Sequence, residues 1–576
     1  MVPLRHVAAS RVRRKAMTPR IPVLAALVAL STAVACSKGS SSPAPVLTVS
    51  PSGPVVGPGQ RQQFTAGIEG ETAPTVNWSV QEGIRGGSIT SGGLYTAPDT
   101  SGTYHVTATR VSDPAQAATA TVYVVATCTL PTPQPSALPA PRAIPLGAHA
   151  VGTTVTFQVP AGTGGVTILS QGAEPRAASF ITYQGVRIDN TVVPLTVTVG
   201  ETLYFDDRVV PPDDPANWGG ASGPDGIGAI YFGASAPWTG TMTVPNTSNM
   251  LKHVQDQGGV PSGTWSVVVN DFAAECRAIG SPTCVVGDGV TSYPPGRYDL
   301  QAFLKPGPVA ATGTVDLTFV IVTEALTAAA AEVDPSVVRM RQTLATYLAR
   351  AGLSLGAVTF VDASPLVKAR YAGGVNADDA SACGDVASIL RLAAPGNVMS
   401  LFLVSGFTSA DPGTVLGIDG TIPGPASVGG TVASGALASA EDLNMGRGTA
   451  VCAGAPNPQA CGADETAYIV AHEMGHFLGL YHDTEWPGTL FDPVKDTPTC
   501  LCSACAPSSQ RVNCLTGPVT ASTYAMSTTD CTQQLRVPAS VCGGGDNLMF
   551  WALGFYSAAT VTAEQAAIVR ANPLVQ

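Results

Sequence analysis

Residues 466–485 read TAYIVAHEMGHFLGLYHDTE, and this stretch decides how the C-terminal part of the chain is built. On a helix, His472 and His476 stand one turn apart and project from the same face, so both imidazoles can reach one tetrahedral zinc. Glu473 follows immediately. At about 100° round the helix it does not compete as a ligand, yet it lies beside a water on that zinc. His482 is six residues past His476, about 9 Å further along a continuous helix, and cannot close the same site unless the chain turns back. Gly479 permits that turn, because glycine accepts the left-handed conformation that ends a helix. The expected arrangement is one catalytic Zn2+ held by His472, His476 and His482, with a fourth position open and Glu473 as general base. Only seven of the 576 residues are histidine, and three of them are here.

Working outward, GGGDNLMFW places Asp546, Asn547, Leu548 and Met549 downstream of the histidines. The complete H-E-x-x-H-x-x-G-x-x-H pattern with this later Met resembles the metzincin metallopeptidases, whose second signature is a tight turn carrying a Met under the zinc site. The DTP of Asp496, Thr497 and Pro498, the cysteines after it and the ending VTAEQAAIVRANPLV are similar to the pappalysin-type branch. The resemblance implies that Gly479 and Met549 support the site. It also implies a zinc metalloendopeptidase acting on protein or peptide substrates, with Glu473 taking a proton from water and returning it to the leaving amine. Many relatives carry Tyr two residues after the turn Met. Here that residue is Trp551, whose indole N–H is the candidate donor to the oxyanion. Asp483 resembles an Asp that supports local structure in the adamalysin branch, and a solvent-exposed carboxylate is the competing reading.

Before the histidines, VDLTFVIVT reads as a buried strand, SVVRMRQTLATYLARAGL (336–353) as a helix, and GAVTFVD and VMSLFLVSG as further strands. Residues 314–576 are therefore expected to form an α+β catalytic domain. Residues 46–127 alternate apolar and polar positions between turns, and resemble the immunoglobulin-like modules of bacterial surface proteins. About seven strands are expected there, with Trp78, Tyr95 and Tyr104 as core aromatics. Residues 128–145 are Pro-rich and read as a semi-rigid linker. Residues 146–313 carry VTFQV, VTILS, LTVTV, GTMTV, GTWSVVV and YDLQAFL, a second sandwich or jelly roll resembling the modules that accompany secreted proteases. Asp206, Asp207, Asp213, Asp214 and Asp225 are candidate Ca2+ ligands there, with solvated loop carboxylates as the alternative. The fold class is thus multidomain: two all-β sandwiches followed by an α+β metzincin-type domain.

The first 36 residues combine Arg5, Arg11, Arg13, Arg14, Lys15 and Arg20 with an apolar run over 21–35, a secretory signal pattern. AVACS resembles a bacterial lipobox that makes Cys36 a candidate lipid attachment site, and the Ser/Pro-rich residues 37–45 read as a tether. Ordinary cleavage and release is the alternative. The chain is expected to be exported, either as a surface or outer-membrane lipoprotein or as a secreted protein, with membrane contact only through the lipid. Of 13 cysteines, twelve remain without Cys36, and Cys500, Cys502, Cys505, Cys514, Cys531 and Cys542 crowd together as in a disulfide-stapled loop. Cys276 with Cys284 and Cys452 with Cys461 read as local loop closures. With 29 basic against 40 acidic residues, a net charge of −11 and no basic stripe beyond the first twenty residues, nucleic acid is excluded as a partner. The competing functional reading is a surface adhesin that binds through its β modules.

Overall fold

The computed structural model describes residues 46–124, 133–173, 195–206, 239–269, 297–378, 384–409, 414–484, 492–498, 544–550 and 559–576, with short gaps, plus four strand pieces of two or three residues. Apart from Ser10–Arg11, the expected signal segment lies outside the described residues. So do Cys36, the tether, Cys276, the cysteines between 500 and 542, Trp551, and Asp207 to Asp225 of the candidate calcium set. The chain divides into two compact units, residues 14–128 and the remainder.

In the first unit, Val55–Val56, Ala117–Val124, Gly102–Arg110 and Val76–Val80 lie side by side in that order, and Arg61–Gln63, Leu94–Thr96 and Ser88–Ile89 form a smaller sheet. Thr48–Ser50 pairs with Thr65–Gly67. That makes nine short strands among the described residues, where the alternation suggested about seven. Tyr95 is fully buried, and its hydroxyl donates to Gly86 O at 2.6 Å. Trp78 and Tyr104 are only partly buried, and the centre is taken by Phe64, 6.3 Å from the Trp78 ring and 6.2 Å from Tyr95. Phe64 sits just after a polar RQQ strand, which hid it from a reading based on alternation.

The second unit begins with a sandwich. Strands β1 (Ala143–Ala150), β2 (Thr154–Val159), β3 (Thr163–Gly172), β4 (Leu195–Val199), β5 (Thr202–Asp206), β6 (Thr239–Val244), β7 (Gly263–Val269) and β8 (Arg297–Pro306) form two antiparallel sheets, ordered β1-β8-β3-β6 and β2-β7-β4-β5. Helix α1 (Ser248–Gln257) follows β6. In β2 and β7 alternate residues point inward, and Trp265 fills the core 6.1 Å from Phe157. Strand β3 is buried at every position. Such a strand must be covered on both faces. Val166 and Ile168 face the sandwich core, while Leu169 and Phe303 pack with Leu138, Ala426 and Val428.

The Pro-rich stretch read as a linker is partly docked: Gln301 Nε2 donates to Gln134 O at 2.8 Å, Ala137 N to Ser427 O at 2.9 Å, and Leu138 is buried. Strand β1 also begins inside it. Pro supplies an extended backbone, but these contacts between distant residues immobilise it, and no local composition reveals them.

The remaining residues build a five-stranded sheet from β9 (Gly313–Ile321), β10 (Leu353–Asp362), β11 (Met399–Val404), β12 (Gly417–Asp419) and β13 (Ala436–Ser439), in the order β10-β9-β11-β13-β12. All neighbours are parallel except β12, the antiparallel edge. Helix α2 (Pro335–Arg350) makes the crossover from β9 to β10, capped by Asp334, which accepts from Ser336 N and Val337 N. It packs with α3 (Gly462–Leu478) and α4 (Ala563–Ala571) on one face of the sheet, with Val315, Leu317 and Phe319 beneath. Val320, Phe402 and Val404 on the opposite face pack with Tyr371, Ile389 and Leu390.

Candidate metal centre

Every residue of α3 is buried. Its polar first turn is made tolerable by Asp464, which accepts from Arg339 Nε at 2.8 Å, Arg339 Nη2 at 3.0 Å, Asn457 N at 2.8 Å and the Thr343 hydroxyl. A Cys452–Cys461 disulfide ties the preceding loop to the helix start. The helix stops at Gly479, which is left-handed at φ 114° and ψ 11°, and Leu480 N donates back to Gly475 O at 2.9 Å. A β-carbon at 479 would also lie 3.0 Å from Thr243 Cγ2. This reversal is what carries His482 back to the helix.

His472, His476 and His482 are buried, and their Nε2 atoms form a triangle with every side 3.1 Å. His472 Nδ1 faces Leu548 O at 2.6 Å and His476 Nδ1 faces Leu480 O at 2.8 Å. A carbonyl can only accept, so both Nδ1 atoms carry the proton, and in the neutral rings both Nε2 atoms present lone pairs. Two lone pairs 3.1 Å apart share no hydrogen and repel each other unless a cation lies between them. Ligands at about 2.0–2.1 Å from a tetrahedral zinc stand about 3.3–3.4 Å apart, so the triangle fits such an ion with a slight opening. The residues present therefore suit zinc. Among the described residues these three histidines are the set that could hold a metal.

Beneath the histidines, residues 544–550 turn tightly. Asn547 N donates to Gly544 O at 2.8 Å, Met549 N to Asn547 Oδ1 at 2.8 Å, and Asn547 Nδ2 to Gln565 Oε1 of α4 at 2.9 Å. Met549 is fully buried, and its sulfur lies 2.4 Å from where a β-carbon on Gly475 would be. Met549 thus occupies room that only glycine leaves on α3. The Leu548 carbonyl that orients His472 belongs to the same turn. Thr562 caps α4 in a capping box with Gln565, and Asp496 accepts from Thr562 Oγ1 at 2.7 Å and Glu564 N at 2.9 Å. Asp483 is buried, and a β-carbon on Gly544 would lie 2.1 Å from its Oδ2, so the solvent-exposed reading is set aside.

Glu473 is buried, with no side-chain hydrogen-bond partner among the described residues and the Asp419 backbone N–H beside its carboxylate. Burial pushes its carboxyl well above the usual range, and the nearby Asp419 carboxyl adds to the rise. Asp419 is pushed up to about 7 by burial, against the opposing pull of His482. A bound dication would draw both back down. Edge strand β12 brings Asp419 here, and Gly417 two residues earlier shares its face. A β-carbon on Gly417 would lie 2.4 Å from Glu473 Oε1. Gly417 and Asp419 escaped the reading of the sequence because a three-residue strand leaves no periodic signal.

No protein-family model matches the chain, and no curated protein matches it. Among solved structures it is similar to metalloproteinase-II from Bacteroides fragilis at 14% identity and a TM-score of 0.19, covering 35% of this chain and 60% of that one. It is also similar to the Yersinia pseudotuberculosis adhesin InvE at 13% identity and a TM-score of 0.12, covering 47% and 60%. A carbohydrate-binding module of the β-sandwich superfamily is similar at 13% identity and a TM-score of 0.14, covering 47% and 95%. Likenesses this slight carry no argument about fold or chemistry, which rest on the chain's own residues.

Proposed function

We propose that this chain is an exported zinc-dependent endopeptidase of the metzincin type. The observation that carries the reading is the buried triangle of His472, His476 and His482 with Glu473 beside it and Met549 beneath. Zinc, when bound, supplies a Lewis acid that brings a coordinated water to a pKa of about 7 and polarises the scissile carbonyl. Glu473, with no described side chain bonded to its carboxylate, accepts the proton of the attacking water and delivers it to the leaving amine. The Leu548 and Leu480 carbonyls hold two rings in the tautomer that offers Nε2 to the metal. Among the described residues no helix is long and apolar enough to cross a membrane. Attachment through a lipid on Cys36, or release after cleavage, is proposed from the leader alone, and the indole of Trp551 is proposed as a donor to the oxyanion.

The test is the purified protein with a denatured protein substrate. The expected result is one zinc per chain and cleavage that stops with a chelator and returns with added zinc. A protein that binds zinc but cleaves nothing across a broad peptide library would sink the peptidase reading and favour the adhesin. A second expectation concerns Gly417→Ala. The added methyl would lie 2.4 Å from Oε1, 2.7 Å from Cγ and 2.8 Å from Cδ of Glu473, so the buried side chain as a whole must shift. A displacement of about 1 Å costs on the order of 10²-fold in rate. The kcat should therefore fall by about that factor with zinc content unchanged and melting somewhat lowered by the overpacking, and an unaltered kcat would remove Gly417 from the account.

A further inference from the structure

We infer that the β-sandwich spanning β1 to β8 is a structural part of the metal centre, and that Tyr481 is the positioning residue through which it sets His482. The inference rests on the metal reading of the site and not on peptide hydrolysis.

His472 and His476 are placed by α3 itself. His482 is not, since it lies beyond the helix end, and its position depends on the short segment that follows Gly479. That segment is anchored on two sides. Leu480 is buried in the core shared by α2, α3 and the five-stranded sheet. Tyr481 points the other way, into the sandwich core, where it joins the buried cluster of Met242, Val244, Met250 and Trp265. Thr243, between two of those residues on β6, packs its methyl against the Gly479 turn. Consecutive side chains locked into different cores leave the segment little freedom to rotate, so the His482 ring is delivered in one orientation.

The other wall of the site is tied to the same core. Ile422, three residues past Asp419, belongs to the sandwich cluster, and Gly424 N donates to Phe477 O at 2.9 Å near the end of α3. The sandwich thus reaches both the loop after edge strand β12 and the third histidine. A module that merely accompanied the catalytic part would not share its core with a neighbour of a metal ligand.

The experiment measures zinc affinity by competition with a chromogenic chelator on the full chain, together with circular dichroism and thermal melting. Tyr481→Ala should weaken zinc binding by about 10- to 100-fold, the range for partners that orient ligands, with one site still filled at saturation. Tyr481→Phe, which keeps the ring and its packing, should weaken binding less than Tyr481→Ala does. Val155→Ala on strand β2 removes apolar contact from the same core at a position not placed at the site, and should lower melting while leaving zinc affinity within about threefold. If Tyr481→Ala does not fold, Tyr481→Leu keeps an apolar anchor of different shape and should weaken binding by about tenfold. Parent-like zinc affinity in the Ala or Leu variant overturns the inference, as does an equal loss in Val155→Ala, which would mean general destabilisation. A parent protein that binds no zinc would instead overturn the metal reading itself.

Discussion

Glu473→Ala is expected to bind one zinc per chain with the parent's affinity and to hydrolyse peptide bonds about 10²- to 10⁴-fold more slowly, the contribution typical of a positioned general acid–base group. Metal binding should survive because the three ligand nitrogens are oriented without Glu473: His472 by Leu548 O, His476 by Leu480 O, and His482 by the chain reversal at Gly479. The rate should collapse because no other carboxylate has the same position. Asp419 is near, but it extends from strand β12 and not from the turn of helix between two ligands. Zinc content by elemental analysis and kcat on a quenched peptide form the pair of measurements. Loss of zinc together with activity would assign Glu473 to metal binding, and retained activity would refute its role as the base.

The second large effect falls on stability. Asp464 is wholly buried at the start of α3 and is the partner of Arg339 on α2, with Thr343 and the Asn457 N–H completing its shell. Asp464→Ala leaves the Arg339 guanidinium facing a cavity without its counter-charge. Breaking a buried pair in this way costs about 3–5 kcal/mol. The expected result is a lower urea midpoint for the transition of the C-terminal part. The double variant Arg339→Met with Asp464→Leu should recover much of the loss, because an apolar pair does not strand a charge. A single variant within about 1 kcal/mol of the parent, the scale of an exposed pair, would show that solvent relieves the charge.

The legible parts of this protein were those whose signal is local. His472, Glu473 and His476 follow from helical spacing, the break at Gly479 from the freedom of glycine, and the strands around Trp265 from period-two alternation. Helix α2 showed itself through apolar spacing, and its observed ends, Pro335–Arg350, lie close to the stretch expected. What stayed hidden involved short or unpatterned segments. Strand β12 is three residues long and Phe64 follows a polar strand, while β3 was legible as a strand through VTILS but not as one buried on both faces. The Pro-rich stretch was read as a linker because composition reports stiffness and not what the chain docks against.

By itself the sequence determined that three histidines and a glutamate occupy spacings that suit one metal, because ligand spacing along a helix is set by bond geometry within a few residues. It also determined that a Met follows downstream, as in the family it resembles. Only the tertiary structure decided that Leu548 O and Leu480 O orient His472 and His476, that Gly417 leaves room for Glu473, and that Tyr481 is held in the core of a sandwich reaching back to residue 143. Those contacts join residues far apart in the chain, and their strength comes from burial and shape complementarity. Neither leaves a mark on the local order of amino acids.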